Sequence, residues 1–90
     1  MYSLKYSSRF KKDLKRFRND RKLLSLLEDF LDLLAEGGKL SEKYCRHELR
    51  GEFKGCFECH LRPDVLLIYK IEEKKLLVLL LRIGSHSELF

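Results

Sequence analysis

Proline occurs once in this sequence, at Pro63, and no internal repeat, linker or low-complexity segment interrupts the chain. Collagen-like and disordered readings are thereby disfavoured. Long apolar runs are also missing: none approaches the roughly 18 to 20 residues that span a bilayer. The opening MYSLKYSSRFKKDLKR lacks the apolar core of a signal peptide, so the cytosol is the expected compartment and no membrane partner is expected. Cysteine is scarce and odd in number (Cys45, Cys56, Cys59). Without an export signal, reduced thiols are expected rather than a disulfide framework.

Acidic residues are the minority among the charges, 14 against 19 lysines and arginines, which leaves a net charge of +5. Polyanions are the natural partners of such a chain, nucleic acid first and acidic protein second. The excess is concentrated early. Residues 1–22 carry nine basic side chains against Asp13 and Asp20, a local +7.

Ninety residues suffice for one domain, spanning 1–90, with one hydrophobic core. YSLKY at residues 2–6 suggests a short strand, after which Ser7 or Ser8 can cap a helix bearing Phe10, Leu14 and Phe17 on one side. Asn19-Asp20 offers a second cap. Leu23, Leu27, Phe30 and Leu34 then form an apolar stripe that runs to Gly37-Gly38. The pattern predicts two helices in a hairpin, the leucine-rich face packing on a sheet rather than forming a zipper seam.

Beyond the glycines the texture is that of strands, near Arg46 to Leu49, then Cys56 to Arg62, Val65 to Glu72 and Lys75 to Ile83. Gly51, Pro63-Asp64 and Glu72-Glu73-Lys74 supply the turns. VLLIY and LLVLLL are too apolar for a half-exposed sheet, so these strands are expected to be central, with helices on at least one face. The expected class is α+β, with a largely antiparallel sheet of three to four strands and a short C-terminal tail.

All three histidines, His47, His60 and His86, fall at a strand end, within a strand and beyond the last strand, where a sheet can gather them. Histidine suits proton transfer near neutrality because its ordinary pKa is about 6.5. The structural alternative is three unrelated surface or packing histidines. Cys56-Phe57-Glu58-Cys59-His60 matches the C-x-x-C-H pattern of haem attachment. That reading is rejected because attachment takes place in exported proteins and because residues i and i+3 of a strand point to opposite faces. The same geometry weakens a redox pair, and also a zinc site built from Cys45, His47, Cys56 and Cys59.

Several dispersed segments together carry a resemblance. His47-Glu48-Leu49-Arg50-Gly51-Glu52-Phe53-Lys54-Gly55, Glu58-Cys59-His60, Arg62-Pro63-Asp64-Val65-Leu66-Leu67-Ile68-Tyr69 and Arg82-Ile83-Gly84-Ser85-His86-Ser87-Glu88-Leu89-Phe90 are similar to the YafQ branch of the RelE toxin superfamily. The match departs at Glu58, where family members often carry Asp. The resemblance implies a RelE-like fold and a type II toxin that cleaves mRNA in the ribosomal A site, needs no cofactor or metal, and is held inactive by an antitoxin encoded beside it. Operator DNA would be met only through that antitoxin. It also implies an active site on His47, His60, Asp64, His86 and Phe90, supported by Glu58 and Arg82.

The chemistry is consistent with that assignment. Metal-free RNA cleavage by 2′-OH attack needs a base, an acid and cationic donors to the phosphate. His86 is expected as principal acid or base with His60 as its partner, Asp64 orienting or tuning one of them, and Arg82 stabilising phosphate charge. Phe90 would stack on a splayed base, and His47 would serve either in phosphate contact or in support. Arg50 and Lys54 are expected to touch RNA, while Lys11, Lys12, Lys15, Arg16 and Arg18 would dock on ribosomal RNA. Two other classes remain at this stage, a non-catalytic basic RNA- or DNA-binding domain and a metal-dependent enzyme using the His and Asp side chains. Singly, Asp64 could be a turn residue, Arg82 a solvated strand end and Phe90 a packing residue.

Overall fold

The computed structural model describes residues 1–37, 47–49, 51 and 55–90. The described elements are β1 (Ser3–Tyr6), α1 (Ser8–Leu14), a 3₁₀ turn over Lys15–Phe17, α2 (Arg21–Glu36), β2 (His47–Glu48), β3 (Phe57–Arg62), β4 (Val65–Glu72), a 3₁₀ turn over Glu73–Lys75, β5 (Leu77–Gly84) and α3 (His86–Leu89). The α+β class and the strand-helix-helix-meander order agree with the sequence reading. The first helix is shorter than its apolar spacing suggests, tightening into 3₁₀ geometry before Phe17. The last strand begins two residues later than expected, after Leu76 adopts a left-handed conformation at φ 49°. The C-terminal segment is a helical turn rather than a plain tail.

The sheet has the order β1-β5-β4-β3-β2. The meander β2 to β5 is antiparallel throughout, and β1 adds to the outer edge of β5 in parallel, Ser3 opposite Leu77 through Tyr6 opposite Leu80. Nothing in the sequence pattern fixed that parallel pairing, because it joins segments from opposite ends of the chain. β4 is flanked on both sides, which explains its continuous buried run Val65–Tyr69.

Helix α2 covers one face of the sheet. Leu23, Leu27, Phe30 and Leu34 are buried at spacings of four, three and four residues, which places them on one side of a 3.6-residue helix. They pack with Phe10 against Cys59, Leu61, Val65, Leu67, Tyr69, Val78, Leu80 and Ile83. Each such large side chain contributes about 1.5–3 kcal/mol on full burial. Phe30 meets Tyr69 edge-to-face at 5.8 Å. Asp20 caps the helix by accepting from the Leu23 N–H at 3.1 Å, and Gly37 ends it in the left-handed conformation at φ 73°.

The opposite face carries a smaller cluster, Cys56, Leu66, Ile68 and Leu89, with Leu49 and Leu81 against it. Cys56 and Cys59 therefore belong to clusters on opposite sides of the sheet, as strand alternation requires. Their sulfurs do not form a common chelating pair. No helix among the described residues is long and apolar enough to cross a membrane.

Candidate active site

Two successive register rows of the sheet organise the open face. In one, His47 lies opposite Glu58, Glu58 opposite Ile68, and Ile68 opposite Arg82. In the next, His60 lies opposite Leu66 and Leu66 opposite Gly84, from which Ser85 leads into α3 and His86. Neighbouring strands are about 4.8 Å apart, so the backbones of His60 and Gly84 are separated by about 10 Å. Leu66 and Ile68 belong to the open-face cluster with Leu89, and directly opposed residues share a face. His60 and Glu58 thus stand on the face against which α3 packs.

Glu58 and His60 are two residues apart on β3, and their side chains approach with Nε2 3.5 Å from Oε1. Across the cluster, the His86 ring lies 5.1 Å from that of Phe90. α3 holds this pair through a capping box in which Ser85 Oγ accepts from the Glu88 N–H at 3.2 Å and Glu88 Oε1 accepts from the Ser85 N–H at 2.9 Å. Burial of Leu89 anchors the turn, while Phe90 stays 53% exposed. An aromatic ring so placed presents a large apolar surface beside a histidine.

Arg82, expected to stabilise phosphate charge, is not the solvated strand end that it could have been taken for singly. Its side chain is only 12% exposed, with Nε 2.7 Å and Nη2 3.0 Å from the two oxygens of Asp13. A bulge explains its placement: β5 carries one extra residue, Leu81, between the partners of Tyr69 and Ile68. Both Leu81 and Arg82 consequently line a cleft of about 510 Å³ between Ser7, Ser8 and Arg9 on one side and Glu88, Leu89 and Phe90 on the other. The Asp13 bond also raises the pKa of Arg82 further, so the cation is permanent.

Asp13 is the functional-looking residue that the sequence reading passed over. It is buried on α1, where β1 has ended and the edge of β5 needs partners; it accepts the Ile83 N–H at 3.2 Å, while Ser7 Oγ donates to the Leu81 carbonyl at 2.8 Å. Burial pushes its carboxyl up, but the hydrogen bonds from Arg82 and Ile83 and the charges of Arg82 and Arg16 outweigh burial and hold it below its ordinary value. A signal existed in the sequence. Asp13 lies three residues after Phe10 and four before Phe17, which sets a carboxylate on the apolar side of a basic helix.

The remaining sites are dispersed. Asp64 is at the β3–β4 turn, its side chain 81% exposed and Oδ1 3.8 Å from Arg62 Nε. Arg62 Nη2 donates to Asp20 Oδ2 at 2.8 Å and so ties that turn to the α2 cap. Lys11, Lys12, Lys15 and Arg18 are exposed, whereas Arg16 pairs with both Asp13 and Glu88. Arg50, Lys54 and Cys45 lie outside the described residues, and His47 is placed by its backbone pairing alone. Among the described residues no three His, Cys, Asp or Glu side chains converge as a metal site.

Comparison with known proteins agrees with this architecture. Residues 2–90 match the family described as bacterial toxin of type II toxin-antitoxin system, YafQ. The chain is 34% identical over 88 residues to the mRNA interferase toxin YafQ of Escherichia coli (strain K12), covering 97% of this chain and 94% of that protein. It is 42% identical to a metal-bound toxin from Helicobacter pylori, with full coverage of both chains and a TM-score of 0.90. It also superposes on YafQ in the E. coli DinJ-YafQ toxin-antitoxin complex at a TM-score of 0.85, with 33% identity, 99% of this chain and 97% of that chain covered. With one family matched over nearly its whole length and the same fold in its relatives, the chain belongs to the YafQ family of type II toxin–antitoxin toxins.

Proposed function

We propose that this toxin is an mRNA interferase, a cytosolic endoribonuclease that cuts messages in the ribosomal A site by metal-independent histidine acid–base chemistry. An acidic antitoxin encoded beside it holds it inactive, and operator DNA is met only through that antitoxin. The observation that carries the reading is the shared face: two adjacent register rows set His60 and Glu58 across Leu66 and Ile68 from the helical turn that bears His86 and Phe90. The names of the E. coli relative and of its complex support the activity and the partner.

In this mechanism His86 and His60 flank one phosphodiester, one removing the 2′-OH proton and the other protonating the leaving 5′-oxygen. Glu58, with Oε1 3.5 Å from Nε2 of His60, orients the imidazole. Arg82, aimed by Asp13, contributes fixed positive charge on the cleft side of the phosphate. Phe90 stacks on a splayed base, a contact worth about 1–3 kcal/mol. Asp64 tunes the histidine face from the turn, and His47, Arg50 and Lys54 add contacts to RNA. The ribosome supplies the constraint that holds the message in in-line geometry. Lys11, Lys12, Lys15 and Arg18, with Arg16, dock on ribosomal RNA without reading its sequence.

The test is cleavage of one message, with and without programmed ribosomes, by the parent and by a Lys11→Glu, Lys15→Glu, Arg18→Glu variant, each with and without chelator. Cleavage only on ribosomes, unchanged by chelator and weakened in the variant, is expected. Equal cleavage of free message removes ribosome dependence, chelator sensitivity removes the metal-free mechanism, and binding without any cleavage favours a non-catalytic RNA-binding role.

A further inference from the structure

We propose that Asp13 of α1 and Arg16 of the 3₁₀ turn that follows it are positioning residues that fix α3, and with it His86 and Phe90, through an ion-pair chain ending at Glu88. The inference rests on the reading of His86 as a working acid or base. It assigns to the basic helix a second task, holding the site in shape as well as docking it.

The chain of contacts is continuous. Asp13, its side chain 5% exposed, is fixed by Arg82 at 2.7 and 3.0 Å and by the Ile83 N–H at 3.2 Å. Arg16 Nη2 lies 3.4 Å from Asp13 Oδ1, and Arg16 Nη1 pairs with Glu88 Oε2. The other Glu88 oxygen closes the capping box on Ser85. One carboxylate therefore both starts α3 and ties it to the 3₁₀ turn that continues α1. The need for such a tie follows from length. A four-residue helical turn has no stability of its own, because nucleation fixes several dihedrals for a single hydrogen bond. Leu89 anchors its far end by burial, but His86 is exposed at its first position. The Arg16–Glu88 pair restrains the part of the turn that burial does not hold.

Magnitude separates this role from simple stabilisation. Arg16 is half-exposed, and exposed ion pairs contribute little to folding. Displacing a reacting group by about 1 Å, by contrast, can cost on the order of a hundredfold in rate. Loss of the pair should then be nearly silent in stability and visible in turnover.

Glu88→Gln is the cleanest probe because glutamine preserves the capping box while removing the charge. Arg16→Gln breaks the same pair from the other side, and Arg16→Lys keeps a charge there. Turnover on programmed ribosomes, thermal melting and the His86–Phe90 ring proton cross-peaks by NMR are measured for each. Both Gln variants should lose about tenfold in kcat, and Glu88→Gln, which lies outside the ribosome-docking set, should keep KM within roughly twofold of the parent. Their midpoints should move by no more than about 2 °C, within the range of a weak surface interaction. The cross-peaks should weaken in both, and Arg16→Lys should recover most of kcat. Parental kcat, a change in KM alone, or a loss of kcat with unaltered cross-peaks would each overturn the proposal. If the parent itself fails to cleave, the proposed function falls, and the cross-peaks still decide whether the ion pair positions His86.

Discussion

Asp13 and Arg82 stand 69 residues apart in sequence and meet through two parallel hydrogen bonds of 2.7 and 3.0 Å. Both side chains are withdrawn from water, at 5% and 12% exposure. The contact bolts α1 to the end of β5, beside the turn that carries His86.

Asp13→Ala should destabilise the fold by about 3–5 kcal/mol, because it strands a buried guanidinium and leaves the Ile83 N–H without its acceptor. Asp13→Asn keeps an oxygen for Ile83 and should cost less. Urea unfolding followed by circular dichroism measures both, and a loss below about 1 kcal/mol for the alanine variant would show that the pair is energetically idle.

The same carboxylate sets an acid limit. Its folded pKa is depressed, despite burial, by the bonds and charges of Arg82, Ile83 and Arg16. Its contribution is therefore complete above the unfolded value of about 3.9 and is lost as pH falls through the lower folded value. Stability of the parent should drop below about pH 4 more steeply than that of Asp13→Asn. Parallel stability curves across that window would contradict the assignment.

His86→Ala should abolish cleavage while leaving the melting midpoint within about 2–3 °C of the parent, since the exposed ring contributes little to the core. Cleavage by extracts or purified protein on programmed ribosomes, with melting as the folding control, makes the comparison. Undiminished cleavage by the folded variant would remove His86 from the mechanism.

Gly37→Ala should cost at least about 1–2 kcal/mol, because φ 73° is a left-handed conformation that an L side chain adopts only at that penalty. An added Cβ would also come within 3.0 Å of the Tyr2 ring. Denaturant unfolding reads the loss directly, and an unchanged midpoint would mean that the α2 terminus rearranges freely.

Local chemistry made much of this protein legible from its residues alone. The Leu23, Leu27, Phe30, Leu34 stripe and the Asp20 and Gly37 caps fix α2 because helical periodicity and capping are short-range effects. The opposed faces of Cys56 and Cys59 follow from strand alternation in the same way. The dispersed His47, His60 and His86 motifs pointed to the family, which the full-length match shows. Tertiary structure decided what depends on distant partners: β1 pairing in parallel with β5, the Leu81 bulge, and the meeting of Asp13, Arg82, Arg16 and Glu88. Those contacts join segments whose sequences carry no mutual period, so only the folded sheet, by placing the edge of β5 against α1, brings a carboxylate, two guanidiniums and the turn bearing His86 into one network.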